Sequence, residues 1–108
     1  MLVDHRPGSV FRWLQAVEFP DLAFVVIDPL AFVPDYPVEN VRKAIAFCEL
    51  EPDEEVAVLA ICTVPPPPDE PTANFLAPLG IGLRSRRGAQ IVLHDCGFDT
   101  RVPFLRTP

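Results

Sequence analysis

The sequence predicts a mainly β fold: a small barrel-like or two-sheet antiparallel domain with one short helix near residues 41–49. Three observations predict it. Short apolar, β-branched runs recur along the chain, each closed by proline, glycine or aspartate, which is the pattern of strands joined by turns. Fourteen of the 108 residues are proline, which limits the length of every element and stiffens the joints between them. Only one stretch places apolar residues at helical spacing. A chain of 108 residues is expected to form one domain over 1–108, burying roughly two-thirds of its unfolded surface around a single core.

The elements follow in order. Residues 1–9 carry little pattern, and Pro7-Gly8 marks a turn. Val10-Phe-Arg-Trp-Leu-Gln15 alternates loosely and suits a strand with Trp13 inward. Pro20-Asp21 turns the chain into a continuous β-branched run from Ala23 to Ile27, read as a strand covered on both faces. Asp28-Pro29 ends it, and a second apolar patch ends in Pro34-Asp35-Tyr36. Each proline restricts the residue before it, so this segment reads as a strand, a corner and an extended ledge.

Asn40 is placed to cap a short helix over residues 41–49, with Val41, Ala44, Ile45 and Cys48 on one apolar face and Pro52 as its stop. Val56 to Val64, with Thr63 its only polar residue, is the strongest strand and belongs at the centre of the sheet. Pro65 to Pro68 reads as a stiff polyproline connector; it lacks the flanking basic residue often found on ligands of SH3 domains. Ala73 to Leu83 reads as a strand bent at Pro78, Gly80 and Gly82. Arg84-Ser-Arg-Arg-Gly88 is a basic hairpin turn with Gly88 available for positive φ, and Ala89 to His94 is the returning strand. Asp95-Cys-Gly97 turns into a short extended end at Val102 to Leu105, giving about six strands.

The charge is uneven. Residues 1–55 hold eleven acids and four bases, and residues 56–108 hold four acids and five bases, within a total of −6. Phosphates would be repelled, so direct nucleic-acid binding is disfavoured, whereas an acidic face suits a basic protein partner. Three scattered cysteines without a C-x-x-C form no closed disulfide framework and point to a reducing cytoplasm. No signal-peptide pattern and no membrane-length apolar run is present.

Catalytic and metal motifs are sparse. His94 and Cys96 lie two apart and could share a strand face, so a small β-barrel enzyme using Cys96 with His94 is one alternative. Nothing nearby supplies an orienting third group, and a structural role for both is the simpler account. His94, Asp95 and Cys96 alternate faces and have no second ligand pair at zinc spacing, so no metal is expected. No glycine-rich phosphate loop occurs, and no cofactor is expected. A β-barrel binder of a small ligand is a further alternative, which would show as an apolar pocket.

What remains is surface. Phe32 and Tyr36 flank Val33-Pro34-Asp35, and an aromatic–proline–acid ledge offers rigid contact area. Both aromatics folding back onto the core is the equal alternative. The run Glu49-Leu-Glu-Pro-Asp-Glu-Glu55 reads first as a solvated loop, with a contact patch at Glu51, Asp53, Glu54 and Glu55 as the functional alternative. The candidate partner-binding residues are therefore Phe32, Asp35, Tyr36, Glu51, Asp53, Glu54 and Glu55.

Several short motifs occur in a specific order: Phe11-Arg-Trp-Leu-Gln15, Pro20-Asp-Leu-Ala-Phe24, Val26-Ile-Asp-Pro29, Pro34-Asp-Tyr36, Val58-Leu-Ala-Ile61, Thr63-Val-Pro65, Thr72-Ala-Asn-Phe-Leu-Ala-Pro78 and Arg87-Gly-Ala-Gln90 followed by Ile91-Val-Leu93. In that order and spacing the chain resembles the flagellar assembly factor FliW family. The resemblance implies a small, mainly β, cytoplasmic protein without enzymatic activity. It also implies two partners, flagellin and the RNA-binding translational regulator CsrA, whose repression of flagellin mRNA is lifted when flagellin is exported. Two departures from the family accompany it. Only ten residues precede Phe11, so the resemblance implies that the family's first strands are missing, and Gly80 and Gly82 stand where the family carries larger side chains.

Overall fold

A computed structural model describes residues 2–4, 11–15, 23–51, 53–94 and 97–104, with the backbone alone for 2–4 and 15. Among the described residues there are eight strands: β1 (Leu2–Asp4), β2 (Arg12–Gln15), β3 (Ala23–Ile27), β4 (Val56–Thr63), β5 (Thr72–Ala73), β6 (Leu79–Gly82), β7 (Gly88–Gln90) and β8 (Val102–Pro103). Every pairing is antiparallel. The helix α1 covers Val38–Ala44 and tightens into a 3-10 turn over Ile45–Cys48. The turns expected at Pro7-Gly8, Pro20-Asp21 and Asp95-Cys96, and the helix stop at Pro52, lie outside the described residues.

β4 is the hinge of the sheet. One side pairs with β3, which leads on through β2 to β1. The other side pairs first with β6 along Val56 to Leu59 and then with β5 along Cys62 and Thr63. β7 lies outside β6, and β8 outside β5. The result is one sheet split into two flaps that share β4, open rather than closed into a barrel. Ala60 and Leu59 are both buried, as are Val26 and Ile27 on β3, because consecutive residues are hidden only where both faces are covered. Ala23 and Phe24 are exposed, so the covering extends over only half of β3.

The core joins Ile27, Ala60, Cys62 and Ala73 from the sheet to Val41 from the helix and to Tyr36, Phe75 and Leu93 from the connections. Val41 and Ile45 are fully buried, worth about 1.5–3 kcal/mol each over exposure. They land on Gly80: a Cβ there would stand 2.9 Å from Val41 Cγ1 and 3.1 Å from Ile45 Cδ1. A glycine inside β6 is thus what lets the helix lie against the sheet, which is the close approach that glycine in a strand signals. Gly88 is kept small in the same way, since a Cβ would meet the Gly80 carbonyl and stand 2.9 Å from Ile81 Cα.

Several sequence expectations are corrected. Residues 1–9 read as patternless, yet β1 pairs with β2, Val3 opposite Trp13; three residues are too short for alternation to register. Trp13 is 39% exposed rather than inward. The helix begins at Val38, because Pro37 suits a helix start and Glu39 favours the positive end of the helix dipole; Asn40 lies inside the first turn, where its N–H donates to the Pro37 carbonyl (3.2 Å). Ala44 is exposed, and Glu49 in the left-handed conformation (φ 57°) ends the helical run. Asp28-Pro29 opens a 3-10 turn over Pro29–Ala31, capped by the Leu30 N–H donating to Asp28 Oδ1 (2.9 Å), instead of an extended ledge. The proline run turns, with the Asp69 N–H donating to the Pro66 carbonyl (3.2 Å). In the basic hairpin the left-handed residue is Arg86 (φ 62°), not Gly88.

Candidate partner-binding surface

The ledge folds around its aromatics. The Tyr36 N–H donates to the Val33 carbonyl (3.0 Å), which tightens Val33-Pro34-Asp35 into a turn with Pro34 and Asp35 outermost. Tyr36 is only 3% exposed. Its hydroxyl donates to the Phe75 carbonyl at 2.5 Å, and its ring packs between Phe98 (5.2 Å) and Phe75 (5.8 Å). Phe32 is half-buried, edge-on to Phe104 at 5.0 Å, and Phe104 in turn meets Phe11 at 5.9 Å. Tyr36 therefore offers no contact surface, which corrects its place among the candidates. A hydroxyl satisfied by a buried carbonyl, with two aromatic neighbours, makes Tyr36 a core residue.

The acidic run is also more than a solvated loop. Glu54 is 6% exposed, and its carboxylate lies over Gly82, where a Cβ would stand 2.8 Å from Glu54 Cδ. It accepts from the Ser85 N–H (2.9 Å), Ser85 Oγ (3.1 Å), the Arg84 N–H (3.0 Å) and the Glu51 N–H (2.5 Å). The Ser85 N–H is the foremost of the influences that hold its pKa below the ordinary carboxylate value; burial opposes it, and the other three donors add to it. Glu54 is thus the bolt of the hairpin between β6 and β7, and it too leaves the candidate surface. Its neighbours stay outside. Glu51 pairs with Arg84 (3.4 Å) and Glu49 with Arg87 (3.2 Å), so the basic turn partly neutralises the acidic run. Asp53 and Glu55 are exposed and carry no ion pair among the described residues.

The structure does not gather the candidates into one patch. Asp35 and Phe32 lie before the helix and Glu51, Asp53 and Glu55 after it, separated by eleven helical residues, roughly 18 Å of rise. Near Asp35 is a groove of about 510 Å³ between the first turns of α1 and the segment after β7, lined by Pro37, Ala44, Ile91, Leu93 and His94 among others. Exposed apolar side chains add to the surface: Phe47 at 69% on the 3-10 turn, and Val92 at 53% beside the groove. Neither was singled out from the sequence: Phe47 falls off the apolar helix face named there, and Val92 sits inside a strand run.

His94 is exposed in this groove, while Cys96 lies outside the described residues. Burial pushes the Cys62 thiol up to about 12, so it is neither an ion nor a nucleophile near neutral pH. Among the described residues no group of His, Cys, Asp and Glu is placed to hold a metal ion, and no helix is long and apolar enough to cross a membrane. Asn74 Oδ1 accepts from the Ala77 N–H (3.0 Å), which closes the turn joining β5 to β6.

Comparison with known proteins decides the lineage. A sequence model of the family described as FliW protein matches residues 1–104. The chain belongs to the FliW family. The flagellar assembly factor FliW of Caldanaerobacter subterraneus subsp. tengcongensis is 36% identical over 102 residues, which cover 94% of this chain and 68% of that protein. The FliW of Bacillus licheniformis is 36% identical over 95 residues, 88% of this chain and 66% of the relative. A crystal structure of the flagellar assembly factor FliW superposes with a TM-score of 0.80 at 28% identity, covering 98% of this chain and 74% of the other. The FliW fold thus accounts for the sheet with its short helix α1.

Proposed function

We propose that the chain is a non-enzymatic, protein-binding regulator of flagellum assembly that acts in the cytoplasm. In this reading it binds flagellin, and once flagellin is exported it engages CsrA and relieves the repression of flagellin mRNA. The observation that carries the reading is the family match across residues 1–104. The chemistry agrees: the polar groups brought inside, Tyr36 and Glu54, are spent on holding the fold. The contact surface is proposed at Asp35, Glu51, Asp53 and Glu55, with the exposed edge of Phe32.

A net charge of −6 supports electrostatic attraction to a basic surface on the partner and would raise the cost of RNA approaching it. Calorimetric titration of purified flagellin and purified CsrA into the full chain tests the proposal. Saturable binding that weakens with added salt is expected. Silence with both proteins removes the reading, whereas binding with a flat salt response removes only its electrostatic part.

A further inference from the structure

We propose that the outer edge of β7, continued through residues 91–94, accepts an extended, cation-bearing segment of a partner protein as an added β-strand. The inference rests on the protein-binding reading above and names the surface that does the binding.

The directions of the backbone groups come first. Among the described residues β7 pairs only with β6, Gly80 opposite Ala89. The ladder runs past the strand at both ends: the Gly82 N–H donates to the Arg87 carbonyl (2.8 Å), the Ile91 N–H to Pro78 (2.9 Å) and the Leu93 N–H to Leu76 (2.8 Å). Antiparallel pairing alternates, so residues 87, 89, 91 and 93 use their backbone groups inward, and Gly88, Gln90 and Val92 direct theirs to the other side. Among the described residues no strand pairs with them there.

The composition of this edge sets it apart. β1 carries Asp4 and β8 carries Pro103, a charge and a proline being usual means of stopping an edge from pairing. Gly88-Ala-Gln-Ile-Val-Leu93 carries neither. The groove of about 510 Å³ runs beside it, with Pro37 and Ala44 on the helix side, Ile91 and Leu93 on the sheet side, and Asp35 in its lining. An added strand alternates its side chains, so every second one would enter this groove. The walls mix apolar side chains with Asn40 and His94, so small apolar or polar residues fit them, and a lysine or arginine fits Asp35. Main-chain bonds would supply affinity and the groove selectivity, the division of labour seen in strand addition. A second copy fits less well: each chain carries −6, and residues 88–94 bring no lysine or arginine to Asp35.

The test is amide exchange by NMR on the full chain, free and saturated with purified flagellin or purified CsrA, alongside titrations of Val92→Pro and Asp35→Lys. Proline at position 92 deletes only an outward N–H, so the variant should melt with the unaltered chain. Expected are Gln90 and Val92 amides that slow by about tenfold or more in the complex, while Ile91 and Leu93 are slow throughout. Val92→Pro should weaken binding by about tenfold or more, and Asp35→Lys should weaken it with a shallower salt slope. If Val92→Pro does not fold, the exchange data on the unaltered chain decide. Unchanged exchange at Gln90 and Val92 in a saturated complex overturns the strand-addition site and leaves the protein-binding reading standing. Absence of binding by the unaltered chain overturns both. A dimer in sedimentation that Val92→Pro abolishes assigns the edge to a second copy and overturns the proposal as stated.

Discussion

Tyr36 and Glu54 take polar groups into the interior and satisfy them there, and both were indistinguishable from surface residues in the sequence. A tyrosine beside Pro34-Asp35 looks like a contact anchor, and a glutamate within Glu49–Glu55 looks solvated. What separates them from their neighbours is long-range: Phe75 is 39 positions from Tyr36, and Ser85 is 31 from Glu54. No local pattern carries such a partner. The sign of the pH effect follows for Glu54. Its folded pKa is depressed, so its contribution is fully present above the unfolded carboxylate value and is lost as pH falls through the folded one. Thermal melts from neutral pH into the acid range should therefore show a loss of stability that is smaller in Glu54→Gln, whose melting temperature starts lower. Parallel curves would mean that the carboxylate is not what Ser85 and Arg84 are holding. Burial orders the aromatics as well. Phe75→Ala, at a fully buried ring, should cost about 3–5 kcal/mol in denaturant unfolding, and Trp13→Ala clearly less, since Trp13 is partly exposed.

At the level of elements, the central position of β4 was legible because Val56–Thr63 is apolar almost throughout, and a strand needs such a run only when both its sides and both its faces are covered. The single helix was legible from Val41 and Ile45 at helical spacing. Its boundaries were not, because Pro37 competes with Asn40 as a starting signal and only tertiary packing chooses between them. The glycines Gly80 and Gly82 read in the sequence as bends in the strand, and the close approaches they permit were not legible: Val41 and Ile45 lie over one, Glu54 and Leu50 over the other. This arrangement makes Gly80→Val a direct test of helix docking. The added side chain must displace Val41 or Ile45, and a loss of about 1–3 kcal/mol is expected in chemical denaturation, with the helical signal less protected than the sheet. Full retention of stability would mean that α1 does not lie on β6 as described.

For the whole molecule, charge is arranged more sparingly than the composition implied. The acidic run is tied to the basic hairpin through Glu51–Arg84 and Glu49–Arg87, so the bare negative groups proposed for contact are Asp35, Asp53 and Glu55. Exposed ion pairs of this kind add only about 0–1 kcal/mol to stability, so their chief effect is on the field that a partner meets. Reversing Asp53 and Glu55 together to lysine should leave the melting temperature nearly unchanged while weakening partner binding and flattening its salt dependence, as read by titration at two ionic strengths. The family was legible because the turn and strand motifs keep their order over nearly the entire chain, and the fold superposes on a solved FliW with a TM-score of 0.80. Of the candidate contact residues, the burial of Tyr36 and Glu54 was not legible, since sequence motifs here mostly encode turns and packing.

The proposed role is that of a molecule that works by binding other proteins. Titration of flagellin and of CsrA into the full chain tests this most directly. Saturable binding of at least one of them, weakened by salt and by Asp53→Lys with Glu55→Lys, is the predicted result. No heat or complex with either protein, from a chain that melts cooperatively, would contradict it.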